Sequence, residues 1–170
     1  GTTNVFGAVD FTIKSTLVGT ATVRGFDDTD SLQLTSSSNV VFTALLPDAS
    51  LSTLVTNPKS VQANGQSVST VTVTLKDANG NVVAGKSVQL SSSRGISDSI
   101  SPSSATTNAS GVATFTVKSS VAGTSTYSAS DTTDNINLTA TDNVTFVAAD
   151  LNLSTLDVDK TSAVADGLDS

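Results

Sequence analysis

Thr106–Ser119 reads TTNASGVATFTVKS, and Thr2–Ser15 reads TTNVFGAVDFTIKS. In the first, Asn108-Ala109-Ser110-Gly111 is a turn signal: an Asn side chain bonds the backbone just after it, and Gly takes positive φ freely. The run that follows, Val112–Lys118, alternates, with Ala113, Phe115 and Val117 on one face and Thr114 and Thr116 on the other. A period of two marks a strand with one buried and one wet face. The same turn and strand stand at both places, at an offset of 104 (106 − 2). Extended outward, Thr2–Ala44 lie over Thr106–Ala148 with 20 identities in 43 positions, and DDTDSLQL answers DTTDNINL. Leu51–Val68 and Leu153–Ser170 form a second pair at an offset of 102, each opening on LSTL. Self-similarity on this scale marks tandem modules. The chain divides accordingly into 1–46, the C-terminal part of one repeat, 47–148, a complete repeat, and 149–170, the N-terminal strand region of the next.

Composition points the same way. The 170 residues contain no Cys, His, Met or Trp, and all 15 acidic residues are Asp. Glu suits helix surfaces, whereas Asp, Asn, Ser and Thr compete for backbone hydrogen bonds and favour turns, and Thr and Val favour strands. The absence of Cys removes disulfides, zinc–thiolate sites and thiol nucleophiles together. A net charge of −7 and a pI near 4.1 leave no basic patch for nucleic acid or anionic lipid. No apolar run approaches the ~20 residues of a membrane span, so no membrane contact is expected in this segment. Gly1 does not begin a signal peptide, and targeting and anchoring segments are expected outside this window.

Within 47–148 the pattern predicts about seven strands. Leu51–Val61 is a broken edge strand that switches sheets at Asn57-Pro58, because proline cannot donate to a ladder. Asn64-Gly65 turns into Val68–Lys76, with Val71, Val73 and Leu75 inward. Asp77-Ala78-Asn79-Gly80-Asn81 signals a hairpin leading to a strand with Val83, Val88 and Leu90, bent at Ala84-Gly85. Ser91–Thr107 is polar and turn-rich, with a short strand near Ile100. Val112–Lys118 and Thr124–Ala129, with Tyr127, follow. A long last strand keeps Ile136, Leu138, Ala140, Val144 and Phe146 on one face. By the internal alignment, Phe11 and Ile13 are the core equivalents of Phe115 and Val117. The fold class is all-β, immunoglobulin-like β-sandwich repeats in a tandem, rod-like array.

SVQANGQSVSTVTVTLKDANGNVVAGKSVQLSSS, followed by ISPSSATTNASGVATFTVKSSVAGTSTYSAS, resembles the bacterial immunoglobulin-like domain of group 1, the repeat of invasin- and intimin-like surface adhesins. The family's marks stand in order at Ala63–Gly65, Asp77–Gly85, Ser101–Ala113 and Ala122–Thr124. The resemblance implies an extracellular location on the bacterial cell surface. It also implies that receptor recognition belongs to a terminal lectin-like module with cysteines, which this chain lacks.

Candidate sites are sparse. Asp131 and Asp134, repeated as Asp27 and Asp30, put two carboxylates in one loop of successive repeats. Calcium needs six to eight oxygens, so Asp142, Asp150 or Asp48 would have to join them. The simpler reading, a polar loop in which Asp makes side-chain turns, is preferred. Asn108, Asn137, Asn143 and Asn152 fit the N-glycosylation triplet, which arises by chance in so Asn-, Ser- and Thr-rich a chain. Lys76, Lys86 and Lys118 beside Asn and Asp raise an intramolecular isopeptide bond, but spacing alone pairs none of them with a partner. Without His, Cys or Glu, and with no nucleophile elbow or Ser-x-x-Lys signature assigned, acid–base and nucleophilic catalysis have little to work with, and no enzyme is expected. No catalytic, cofactor-binding or metal residue is assigned, and no cofactor.

The expected function is a structural stalk segment of an adhesin-like repeat protein, extending a distal binding region from the cell. Strands of roughly 20–25 Å would add a constant increment of reach per repeat. The joints Ala44–Ser50 and Ala148–Leu151 are short and free of Gly, which limits bending. The partners expected are neighbouring repeats of the same chain or fibre, and a host or cell-surface receptor through regions outside this window. The alternative is a filament subunit whose incomplete domains are completed by neighbouring chains. Ser170 corresponds to position 68 (170 − 102) and Gly1 to position 105 (1 + 104). Joined head to tail, two chains would lack the equivalents of 69–104, 36 positions that hold the central strands. Simple strand donation therefore fails, and a longer tandem array is expected. A module binding glycan or protein at its turn ends is a third reading, for which one Tyr and six Phe are few aromatics.

Overall fold

The structure, a computed structural model, describes residues 1–148, so the strand region expected at 149–170, with Asp150 and Asn152, lies outside the described residues. The strands are β1 (Gly19–Asp27), β2 (Leu32–Phe42), β3 (Thr53–Asn57), β4 (Ser60–Gln62), β5 (Ser69–Thr74), β6 (Ser87–Ser92), β7 (Asp98–Ser101), β8 (Ser104–Thr106), β9 (Val112–Ser119), β10 (Gly123–Asp131) and β11 (Ile136–Val147). Two sheets face each other, β3-β5-β9-β7 and β4-β11-β10-β6-β8, and β1 pairs with β2 alone.

The first broken strand behaves as its proline dictates. β3 pairs with β5 in one sheet and β4 runs parallel to β11 in the other, the switch falling at Asn57-Pro58. On β5 and just beyond, Val71, Val73 and Leu75 are fully buried while Thr70, Thr72 and Thr74 are half-buried. Phe115 on β9, Tyr127 on β10 and Phe146 on β11 are the largest enclosed side chains, and with Val88, Leu90 and Val144 they fill the space between the sheets. Each fully buried aliphatic or Phe side chain contributes ~1.5–3 kcal/mol, so packing alone holds this disulfide-free core.

Two expectations need correction. The Asp77–Asn81 turn closes only one bridge, Lys76↔Val82, before the chain crosses to the other sheet. Thr107 takes over the ladder's work there: its hydroxyl donates to Val83 O at 2.9 Å and accepts from Lys86 N at 3.0 Å. The polar stretch 91–107 forms the expected strand at Ile100 (β7) but also β8, and with the broken first strand counted as β3 and β4 the sandwich has nine strands where about seven were expected. β7 and β8 are both sheet-edge strands of three or four residues. Segments so short show no readable alternation; only pairing with β9 and β6 defines them.

The leading hairpin copies the trailing one. Gly19↔Phe42 to Asp27↔Leu32 match Gly123↔Phe146 to Asp131↔Ile136 at the 104 offset, with the register slip at Arg24/Phe26 falling where Ser128/Ser130 slips. Its burial differs. Phe11 is 71% exposed where Phe115 is fully buried, and residues 8–18 form no strand. Phe11 and Ile13 are thus not core as the alignment implied. In the sandwich β9 is paired on both sides, by β5 and β7, and the described residues hold no counterpart of either for the leading copy.

Candidate functional site

The segment that joins the leading hairpin to the sandwich is held by one carboxylate. Asp77 is fully buried at the head of the DANGN turn. Its Oδ1 accepts from Asn79 N and Asn81 N, each at 2.9 Å, which builds the turn. Its Oδ2 accepts from the Asn81 side-chain amide at 3.0 Å and from Leu45 N at 3.0 Å, which anchors the linker. The Asn81 amide reaches on to Thr16 O at 2.9 Å, a direct contact with the leading segment. Among the described residues no cation pairs with Asp77; hydrogen bonds, led by the Asn81 amide, hold its carboxyl below the usual range against the opposing effect of burial.

The rest of the linker is tied equally closely. Pro47 is buried and bridges Asp77. Asp48 N donates to Lys76 O at 2.7 Å, and Asp48 Oδ1 accepts from Ser50 N and Leu51 N. Ala49 O accepts from both the backbone and the hydroxyl of Thr139. Sequence reading places Asp77 in the turn and a short joint at Ala44–Ser50, but does not connect the two. The bond to Leu45 spans 32 positions, and no local pattern encodes it.

The Asp131–Asp134 loop brings those two carboxyls together as expected, and adds Lys86, whose Nζ lies 2.6 Å from Asp134 Oδ2. Asp131 is fully buried with Oδ1 accepting from Thr133 N at 2.9 Å. Burial, reinforced by Asp134, pushes its carboxyl up, whereas Lys86 holds Asp134 down. The two other described carboxylates proposed as calcium partners are engaged elsewhere: Asp48 in the linker, Asp142 with Thr56 and Lys59. Among the described residues no three acidic side chains converge on a point fit for a metal ion. Asp27, the counterpart of Asp131, caps its turn by accepting from Thr29 N. Asn108 does the same, accepting from Ser110 N and Val112 N.

A third polar cluster was not foreseen. Arg94 donates to Asp98 Oδ1 at 2.6 Å and to Ser119 Oγ at 2.9 Å, lies 5.3 Å from the Phe146 ring centroid, and Asp98 also accepts from Ser92 Oγ and from Tyr127 OH at 3.3 Å. Burial opposes ionisation of Asp98, but Arg94 and the Ser hydroxyls outweigh it and its carboxyl stays below the usual range. Burial, with the Asp98 charge next, pushes the Tyr127 phenol up to about 12. The cluster's bonds run between residues of both sheets, which makes it a pin between them.

Comparison with known proteins adds the following. The family model described as bacterial Ig-like domain (group 1) matches residues 51–147. The chain is 29% identical over 171 residues to the inverse autotransporter adhesin YeeJ of Escherichia coli K12, covering 99% of this chain but 7% of that protein. Among solved structures, invasin, a bacterial integrin-binding protein, superposes with a TM-score of 0.59 at 27% identity, covering 79% of this chain and 27% of that one. InvD of Yersinia pseudotuberculosis gives 0.63 at 20% identity, over 82% and 41% respectively, a likeness of fold.

Proposed function

The chain belongs to the bacterial Ig-like domain (group 1) family, and from that premise we propose that it is a non-catalytic stalk segment of a bacterial cell-surface adhesin. In this reading 47–148 is one complete module of an array. The array carries a distal receptor-binding region, and host-receptor contact lies outside these residues. The relatives support the class: an inverse autotransporter adhesin along the whole chain, and invasin along most of it. The observation that carries the mechanical part is the linker, where Leu45, Pro47, Asp48 and Ala49 are each tied to the sandwich. A joint bonded at successive residues transmits orientation, whereas a free linker only tethers. β11, with twelve residues at ~3.3 Å each, gives a module about 40 Å long, more than the strand lengths expected from pattern.

The test is small-angle scattering on tandems of one, two and three copies of 47–148. A stalk gives a maximum dimension that rises by a constant ~40 Å per copy. A distribution that collapses toward compact shapes would refute the rod. Concentration-dependent growth of a single copy into polymers would favour the filament reading instead.

A further inference from the structure

Lys86, Asp131 and Asp134 form a cluster that neither the stalk reading nor the family assigns a task. Lys86 immediately precedes β6, Asp131 ends β10, and Asp134 stands in the turn to β11. The backbones beneath them are locked together. Ser87 N donates to Thr133 Oγ1 at 2.9 Å, Ser87 O accepts from Thr132 N at 2.8 Å and from its hydroxyl at 3.0 Å, and Val88 pairs with Asp131. Lys86 N is itself fixed to Thr107 Oγ1.

Upon that frame the side chains of Lys86 and Asp134 are withdrawn from water to 21% and 18% exposure, while the Lys59–Asp142 pair leaves Lys59 at 60%. The 2.6 Å approach of Nζ to Asp134 Oδ2 lacks ordinary hydrogen-bond geometry, and that oxygen is buried without a hydrogen-bond partner. Asp131 Oδ2 is also buried and unpartnered. Burial, reinforced by the neighbouring Asp134 carboxyl, raises the fully buried Asp131 and so favours its protonated form, whereas Lys86 holds Asp134 down. The cluster thus holds an ammonium, a carboxyl carbon beside it, and a second, buried carboxyl from the same loop.

We propose that Lys86 and Asp134 condense spontaneously into an amide between Nζ and Cγ, with Asp131 as the proton-transferring acid. The ammonium passes one proton to the Asp134 carboxylate, and the Nζ lone pair attacks Cγ. Asp131 gives its proton to the departing oxygen and recovers one from the nitrogen as the Cγ–O bond breaks. Of the three ammonium protons one remains on the amide and two leave in water with one Asp134 oxygen; charge is conserved and no external reagent enters. Condensation of a carboxylate with an ammonium is uphill in bulk water, but groups held in contact on a rigid frame react at effective concentrations of about 10⁵–10⁸ M. The bond would tie β6 to the β10–β11 turn. The leading copy keeps both carboxyls as Asp27 and Asp30.

The experiment is intact-mass spectrometry of the folded 170-residue protein, followed by sequencing of its peptides. The expected mass is one water below the sequence value, with trypsin failing to cut after Lys86 and a branched peptide containing Lys86 and Asp134. Lys86→Arg and Asp134→Ala should restore the full mass, and Asp131→Asn should slow the loss of water by roughly 10²-fold or more. Full mass in the wild-type protein after prolonged incubation would overturn the proposal, with no variant needed. So would a water loss that survives Lys86→Arg, which would place it elsewhere, as at Asp166-Gly167. The outcome does not depend on the stalk reading, which concerns reach and not mass.

Discussion

Phe115 and Phe11 occupy the same position of two repeats, with Phe-Thr-x-Lys-Ser around each, yet one is fully buried and the other 71% exposed. Truncating each to Ala isolates the contribution of tertiary burial from that of local sequence. Burying a Phe side chain contributes about 1.5–3 kcal/mol, and truncation adds the cost of the cavity left behind. Measured Phe→Ala losses in cores are about 3–5 kcal/mol. Against a typical domain stability of ~5–15 kcal/mol, Phe115→Ala should remove about a fifth of the total or more. At about 4–8 °C per kcal/mol for a domain of this size, the melting temperature should fall by roughly 12–40 °C. Phe11→Ala should stay within about 0.5 kcal/mol of the parent. Urea unfolding of the 170-residue chain, followed by far-ultraviolet circular dichroism, reads both. Equal effects of the two substitutions would refute the burial difference, and an unchanged midpoint for Phe115→Ala would refute the strand parity.

Asp77→Ala should free the linker without dissolving the sandwich, seen as a broader spread of scattering-derived dimensions and weakened protection of the Leu45 amide; an unaltered joint would deny Asp77 its anchoring role. The Asp142 carboxyl, which burial raises but Lys59 and the Thr56 groups pull down to about 2, ionises in the folded state below its unfolded value of ~3.9. Its contribution is therefore present above pH ~4 and lost as the pH falls toward 2, and Asp142→Asn should flatten the stability profile in that window. In hydrogen exchange, amides of β5, β9 and β10 should be protected far longer than those of β1 and β2, whose apolar face is half open; equal protection in a monomer would contradict this. EDTA should leave the melting temperature unchanged within a degree or two, and a larger drop would turn Asp131 and Asp134 into metal ligands.

Sequence by itself determined the local elements and their repetition. The turn at Asn108, the inward parity of Phe115 and Val117, the sheet switch at Pro58 and the hairpin register conserved at an offset of 104 all depend on residues a few positions apart. Local hydrogen bonding, proline chemistry and the period of two act at that range, so they are legible in a single chain. Only the tertiary structure decided the remainder. Asp77 reaches Leu45 across 32 positions, Arg94 meets the Phe146 ring across 52 (146 − 94), and Lys86 meets Asp134 across 48 (134 − 86). The same distinction separates Phe115 from Phe11, alike in local sequence and opposite in burial. Burial is a property of what packs against a side chain, and the partners that supply it come from strands far away along the chain.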